Sequence, residues 1–292
     1  MSFLRVLSDS FVLLRLTPKL FIPKILIAFF LLPMFILFGN YMVQLDFFSM
    51  DPSTLTRMQA VELLKIIVPL FFVSLYGMIV DLIDIFIVNP MYPIIVRDYL
   101  DMVNKDKAKR GYKDKAKGIS FSKALVSVLE KYGTIFPALA TVMLIIFVVM
   151  MPVAWLFSIA LFLHNPFIIG ISLAAMGLSV FILFVLFYLI YPISSLEEFN
   201  FLKLLKQTVR VSTKHKGNVA KAFLVFLPVP LVSYALSLVI AWLRQSGDVL
   251  PMLLIFGAFV VMRLLVAILS TYQYVLNTVF YLGLEKGIFL KK

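Results

Sequence analysis

The chain contains no cysteine, which excludes a disulfide framework, a thiolate metal site and a cysteine nucleophile and leaves the redox compartment unmarked. Charge is scarce at 14% of 292 residues, against about 25% in ordinary soluble domains. Acids are scarcer still, since 15 Asp and Glu stand against 27 Lys and Arg. Histidine occurs twice, at His164 in "FLHNP" and His215 in "STKHKGN", and the topology developed below puts the two on opposite sides of a bilayer, so they share no metal. No HExxH, phosphate loop or nucleophile elbow is found. An intramembrane hydrolase needs a base beside its nucleophile. Ser74 and Asp81 are the nearest combination, and about two helical turns separate them. The chain therefore reads as non-enzymatic, with no catalytic, cofactor-binding or metal-ligating residue.

What the chain does have is apolar surface: 62% of residues are hydrophobic and the mean hydropathy is +1.04. A membrane span needs about 20 mainly apolar residues. Six segments meet that length, near 20–39, 66–92, 134–162, 166–192, 218–242 and 250–282. The expected class is an all-α integral membrane protein with six transmembrane helices. The first residues read as a polar-faced helix rather than a signal peptide, because no small-residue cleavage pattern precedes "GNYMVQ".

The net charge of +12 is informative through its placement, because Lys and Arg collect in cytoplasmic loops. Basic residues crowd the N-terminal segment (Arg5, Arg15, Lys19, Lys24), the stretches 97–131 and 203–221, and the tail (Lys286, Lys291, Lys292), while the alternate loops hold only Arg57, Lys65 and Arg244. Six spans with both termini inside account for this, leaving Arg263 as the one basic residue within a span. The location implied is an integral one in the membrane, with both termini on the cytoplasmic side.

A weak repeat opens three times, as "SFLRVLSDSFVLLR", "SFSKALVSVLEKY" and "NFLKLLKQTVRVSTK". Each reads as an amphipathic helix. In the second, Phe121, Leu125, Val128 and Tyr132 oppose Lys123, Ser127, Glu130 and Lys131; in the third, Phe201, Leu205 and Val209 oppose Lys203, Lys206, Arg210 and Lys214. Such helices lie in the membrane interface, apolar side toward acyl chains and basic side toward anionic headgroups. About 30 residues after each start comes a proline, Pro33, Pro152 and Pro228, in a following apolar span. The even spans end alike at Tyr92-Pro93, Tyr191-Pro192 and Tyr281, where a belt tyrosine keeps its ring in lipid and its hydroxyl in water. The plan is one membrane domain, 1–292, built from units near 1–100, 119–198 and 199–292, each an interfacial helix followed by a helical hairpin. A cytoplasmic basic loop, 101–118, separates the first two.

The threefold layout, and the segment "LLKQTVRVSTKHKGNVAKAFLVFL" in which an amphipathic stretch ends in a basic glycine turn and enters a span, resemble the six-span membrane domain found beside some glycerophosphodiester phosphodiesterases and related prokaryotic multi-pass families. The resemblance covers most of the chain and implies a role in membrane or lipid physiology. None of the 292 residues reads as a soluble phosphodiesterase domain, so no catalysis is carried over.

The segment "LYGMIVDLIDIFIVNP" places Asp81 and Asp84 in an apolar stretch. Measured inward from Lys65 and Asp248 at about 1.5 Å per residue, Asp81 lies roughly 24 Å deep, Asp84 roughly 28 Å and Arg263 roughly 22 Å. Pairing of Arg263 with Asp81, and less directly with Asp84, is expected. Ser74, Gly77, Asp81 and Asp84 share one helical stripe, as do Arg263, Ala267, Ser270, Tyr274, Asn277 and Tyr281. Facing stripes between spans 2 and 6 avoid leaving charge in hydrocarbon, which costs about 2.5 to 3.5 kcal/mol per group even on the lenient scale. Three readings stay open: an ion pair that fixes helix packing, a polar cavity where a carboxylate binds a proton or cation, and independent snorkelling to the inner interface. One arginine against two acids leaves a surplus negative charge.

The loop "KDKAKRGYKDKAK" carries Lys105, Lys107, Lys109, Arg110, Lys113, Lys115 and Lys117. It reads as an orientation signal with the alternative of an anionic-lipid contact, which Lys203, Lys206 and Arg210 extend. Only Tyr112 interleaves with these cations, so nucleic acid is not an expected partner. The partners implied are the bilayer, its anionic cytoplasmic headgroups and other membrane proteins. The functions implied are a transporter or lipid-handling protein or, alternatively, a membrane scaffold.

Overall fold

A computed structural model describes residues 3–44, 57–106, 120–162, 166–227 and 249–288, and all regular structure among them is helical. The elements are α1 (Phe3–Leu16), a 3-10 turn (Pro18–Phe21), α2 (Ile22–Gln44), α3 (Arg57–Ile83), a π-helical turn (Asp84–Val88) and α4 (Asn89–Asp106). Then follow α5 (Phe121–Glu130), α6 (Tyr132–Phe162), α7 (Pro166–Phe187), α8 (Ile190–Leu196), α9 (Phe201–Lys214), α10 (Lys216–Phe226) and α11 (Val249–Lys286).

Four stretches are long and apolar enough to cross a membrane, Ile67–Met102, Tyr132–Ile159, Pro166–Leu196 and Gly257–Lys286, with a fifth if the bent segment 3–34 counts as one. The chain is thus a helical membrane protein. The expected span 218–242 runs beyond Leu227 and lies mostly outside the described residues, as do Pro228, His164, Arg244, Asp248 and 45–56 of the outer loop.

Local chemistry sets the helix ends. Ser120 caps α5 by accepting from the Lys123 backbone N–H at 3.1 Å, and Asn200 caps α9 by accepting from that of Lys203, also at 3.1 Å. Both occupy the N-cap position where a short polar side chain satisfies an orphan donor. Each capped helix then breaks at one residue. The Lys131 N–H bonds back to Ser127 O while its own carbonyl accepts from Ile135, and His215 does the same between Val211 O and the Val219 N–H. In α1 the break falls at Thr17, whose N–H reaches Leu13 O, ahead of Pro18, which has no N–H to continue the helix.

The three amphipathic helices bury the same register. Counting from the leading Phe, residues three and seven later are buried in each: Val6 and Ser10, Ala124 and Val128, Leu204 and Thr208. In the two longer helices the ridge continues through Leu13 and Leu14, and through Val211 and Ser212. This ridge is offset from the apolar stripe. Leu125 and Tyr132 are exposed while Val128 is fully buried, and Phe201, Leu205 and Val209 are only half-buried. Two ridge hydroxyls are satisfied within their own helices, Ser10 donating to Val6 O at 2.7 Å and Thr208 to Leu204 O at 2.9 Å, while that of Ser212 is buried with no hydrogen-bond partner among the described residues.

Internal contacts divide the chain into two compact units: Met1–Pro18 with Phe86–Pro228 and Tyr272–Lys292, and Lys19–Ile85 with Val229–Thr271. In the first, α6 packs on α7, α4 on α5 and α8, and α9 on α6, α7, α8 and α10. Its core is aromatic. Phe184 meets Phe223 at 5.1 Å and Tyr188 at 4.9 Å between ring centroids, and Tyr188 meets Phe280 at 5.6 Å. In the second, α2 packs on α3. Gly77 permits this approach, because a Cβ there would stand 2.1 Å from Met34 Sδ, the use of small residues typical of membrane helix contacts. Tyr76 closes the same contact by donating its hydroxyl to Phe30 O at 2.8 Å.

Candidate functional site: an intramembrane charge cluster

Within the second unit Lys24 Nζ lies 2.6 Å from Asp84 Oδ2. Lys24 is in the first turn of α2 and Asp84 opens the π-helical turn after α3, so the pair ties together the two helices that Gly77 brings close. The lysine is 5% exposed. Asp84 Oδ1 is buried and has no hydrogen-bond partner among the described residues. π-turns widen the helix and expose backbone carbonyls, and they are frequent at functional positions.

Asp81, one turn earlier, is exposed and lies in the electrostatic field of Arg263 foremost, then of Asp84 and Lys24. The Arg263 guanidinium sits over the Phe259 ring at 5.4 Å. Asp81 and Arg263 thus feel one another's charge, whereas Asp84 pairs with Lys24. Two cations now face two carboxylates, so the surplus negative charge anticipated from the sequence is cancelled. Sequence reasoning assigned Lys24 to the cytoplasmic cluster. The signal that would have found it is its position inside the first apolar stretch, together with an acid lacking a counter-charge.

The remaining stripe residues have other neighbours. Ser74 is exposed, while the packing face of α3 runs through Val73, Gly77 and Val80. Ser270 is half-buried in the second unit. Tyr274 and Asn277 belong to the first unit. The Tyr274 ring stacks on Tyr92 at 5.7 Å and meets Tyr191 edge-on at 5.3 Å, and Asn277 Nδ2 donates to Tyr188 O. Arg263 falls in the second unit and Tyr274 and Asn277 in the first, so residues sharing a face of α11 serve different neighbours.

Of the three tyrosines expected at the water interface, two are packed inside the first unit and Tyr191 is half-buried. Tyr92 and Tyr281 are buried, and Asn89, also buried, donates to the Tyr191 hydroxyl at 3.4 Å. The Tyr281 hydroxyl donates to Glu197 Oε1 at 2.6 Å rather than to water, and Lys286 Nζ lies 2.8 Å from the same oxygen. Partial burial alone would raise the Glu197 carboxyl, but hydrogen bonds from Lys286 and Tyr281, with the charges of Lys286 and Arg97, outweigh it and hold the group below the usual carboxylate range. Next to it, Glu285 Oε1 accepts from Lys214 at 2.7 Å and lies 2.6 Å from His215 Nε2. Two carboxylates thereby fasten the end of α11 to α8 and to the α9–α10 elbow.

Among the described residues no group of three or more Asp, Glu or His is placed to hold a metal ion. Lys203, Lys206 and Arg210 are exposed on α9. Lys105 is in α4 with its side chain outside the described set, and Lys107, Lys109, Arg110, Lys113, Lys115 and Lys117 lie outside the described residues.

No family model, no curated protein and no solved structure matches this chain. The charge cluster and the carboxylate clamps are therefore the observations from which function is read.

Proposed function

We propose that the chain is a non-enzymatic multi-pass protein of a prokaryotic cytoplasmic membrane whose intramembrane charges hold helices together. It serves as a scaffold that organises the bilayer or partner membrane proteins. The carrying observation is the Lys24–Asp84 pair at 2.6 Å, which balances the cluster at two positive and two negative groups. Separating such a pair in a low dielectric costs more than keeping it, so its simplest consequence is fixed packing of α2 on α3. Six spans, in three units of interfacial helix plus hairpin with both termini inside, are part of this proposal. The register shared by α1, α5 and α9 supports a common unit. The resemblance to the membrane domain beside glycerophosphodiester phosphodiesterases supports a lipid-related setting.

A second reading, transport of a proton or cation or the handling of a lipid, is favoured by one observation: Asp81 is exposed within an otherwise apolar segment, where a carboxylate turned out of the packed helix pair points to a polar path or ligand. Flux separates the two. In sealed proteoliposomes under an imposed pH or cation gradient, a scaffold leaves the leak at the protein-free level. A carrier produces a flux that Asp81→Asn abolishes, and that result overturns the scaffold reading.

A further inference from the structure

The three amphipathic helices share a register and differ in charge. Each has a buried ridge, beside it an apolar sector beginning at the leading Phe and continuing four and eight residues later, and beyond that a polar sector. The apolar sector is Phe3, Leu7 and Phe11 in α1, Phe121, Leu125 and Leu129 in α5, and Phe201, Leu205 and Val209 in α9. Two residues after the leading Phe stands a cation in every copy: Arg5, Lys123 and Lys203. In α1 this cation is met by Asp9 at 3.9 Å, and in α5 by Asp98 at 3.4 Å. In α9 it begins a stripe through Lys206, Arg210 and Lys214 at helical spacing. Glu285 takes Lys214, but Lys203, Lys206 and Arg210 make no ion pair among the described residues, and 201–227 contains no Asp or Glu.

We infer that α9 is the copy that docks on anionic phospholipid headgroups, while α1 and α5 keep the apolar sector but have an acid against the cation after the leading Phe and no basic stripe continuing from it, Arg15 near the end of α1 standing apart. This rests on the interfacial placement proposed above and names the lipid class and the helix that reads it. The order of sectors favours a bilayer over a soluble polyanion. The basic stripe borders the apolar sector directly, and Leu202, 68% exposed, lies at their junction, so cations and apolar side chains engage a headgroup–acyl boundary together. A nucleic acid would use the cations alone and leave Leu202 in water.

The absence of cysteine makes the test clean. Nitroxide is attached to the full chain at Leu202→Cys on α9, at Leu125→Cys on α5 and, as a control, at Phe147→Cys on the exposed face of α6. The protein is reconstituted in phosphatidylcholine alone or mixed with phosphatidylglycerol, and label depth is read from relative accessibility to oxygen and to a water-soluble nickel chelate. The expected result is a shift of the Leu202 label toward the acyl region when phosphatidylglycerol is added. High salt and the combined Lys203→Gln, Lys206→Gln, Arg210→Gln variant abolish the shift, and the Leu125 label does not respond. A Leu202 label that stays in water, or whose depth ignores lipid charge, overturns the inference, as does binding of added RNA that withdraws the label from lipid. If the Phe147 label is also in water, the membrane topology itself fails. If Phe147 is in acyl chains and Leu202 is not, only the α9 assignment fails.

Discussion

Lys24 Nζ and Asp84 Oδ2, 60 residues apart in sequence, meet at 2.6 Å where α2 begins and the helix after α3 widens into a π-turn. The pair stands at the end of a contact that Tyr76 and Gly77 make further along the same two helices. A hydrogen bond, a close glycine approach and an ion pair therefore fix one register between α2 and α3.

Gly77 is the steric part of that register. A Cβ at this position meets Met34 Sδ at 2.1 Å and Cε at 3.0 Å, so the methionine side chain must turn aside and give up its place against α3. Gly77→Ala is expected to destabilise the α2–α3 contact by about 1 kcal/mol, the low end of overpacking costs because a flexible side chain can move, and Gly77→Leu by more. Unfolding titration in mixed micelles measures this, and a second substitution, Met34→Ala, restores much of the loss in the alanine variant.

Asp81 and Arg263 supply a direct comparison of architecture with mechanism. Asp81→Asn and Arg263→Leu are each expected to lower stability, with a coupling between them of about 0.5 to 3 kcal/mol, the usual range for interacting neighbours. The double variant recovers part of the loss, because removing both charges leaves neither uncompensated. Stability of the two singles and the double, measured in the same lipid, checks this, and strict additivity excludes a direct interaction between them.

Glu197 gives a pH dependence of known sign. Its carboxyl is held below the ordinary value of 4.5, so the folded state binds its proton less readily than the unfolded chain. The stabilisation it brings is fully present above about pH 4.5 and is lost as pH falls through the lower folded value. Thermal unfolding between neutral and acid pH is expected to show this loss, and Glu197→Gln removes that component of the slope and lowers stability at neutral pH.

Helix existence was largely legible. The starts "SF", "SF" and "NF" mark α1, α5 and α9, and the breaks at "KYG" and "KHKG" fall where the chain turns from an amphipathic helix toward an apolar one. The packed face was not legible, for a reason specific to membranes. Periodicity finds the apolar stripe, but in lipid that stripe has no need of protein, and helices instead meet along small and hydroxyl residues. Ser10, Ala124, Thr208 and Ser212, all buried, are such residues.

For the charge cluster, the depth match brought Asp81 and Arg263 into the same field. It did not reveal Lys24, because a lysine at the mouth of the first span reads equally as a topogenic charge. Tyr274 and Asn277 were assigned to the cluster because they share a helical face with Arg263. Their actual neighbours, Tyr92, Tyr188 and Tyr191, come from segments 83 or more residues away, which no stripe on one helix encodes.

The central claim is that Lys24 and Asp84 stabilise the fold as a pair. A double-mutant cycle of Lys24→Met and Asp84→Leu, measured by reversible unfolding of the full chain in lipid, tests it most directly. Each single substitution is predicted to cost about 3 to 5 kcal/mol, as removal of one partner of a buried ion pair does, and the double to cost less than either. Single losses that add within about 0.5 kcal/mol would contradict the account.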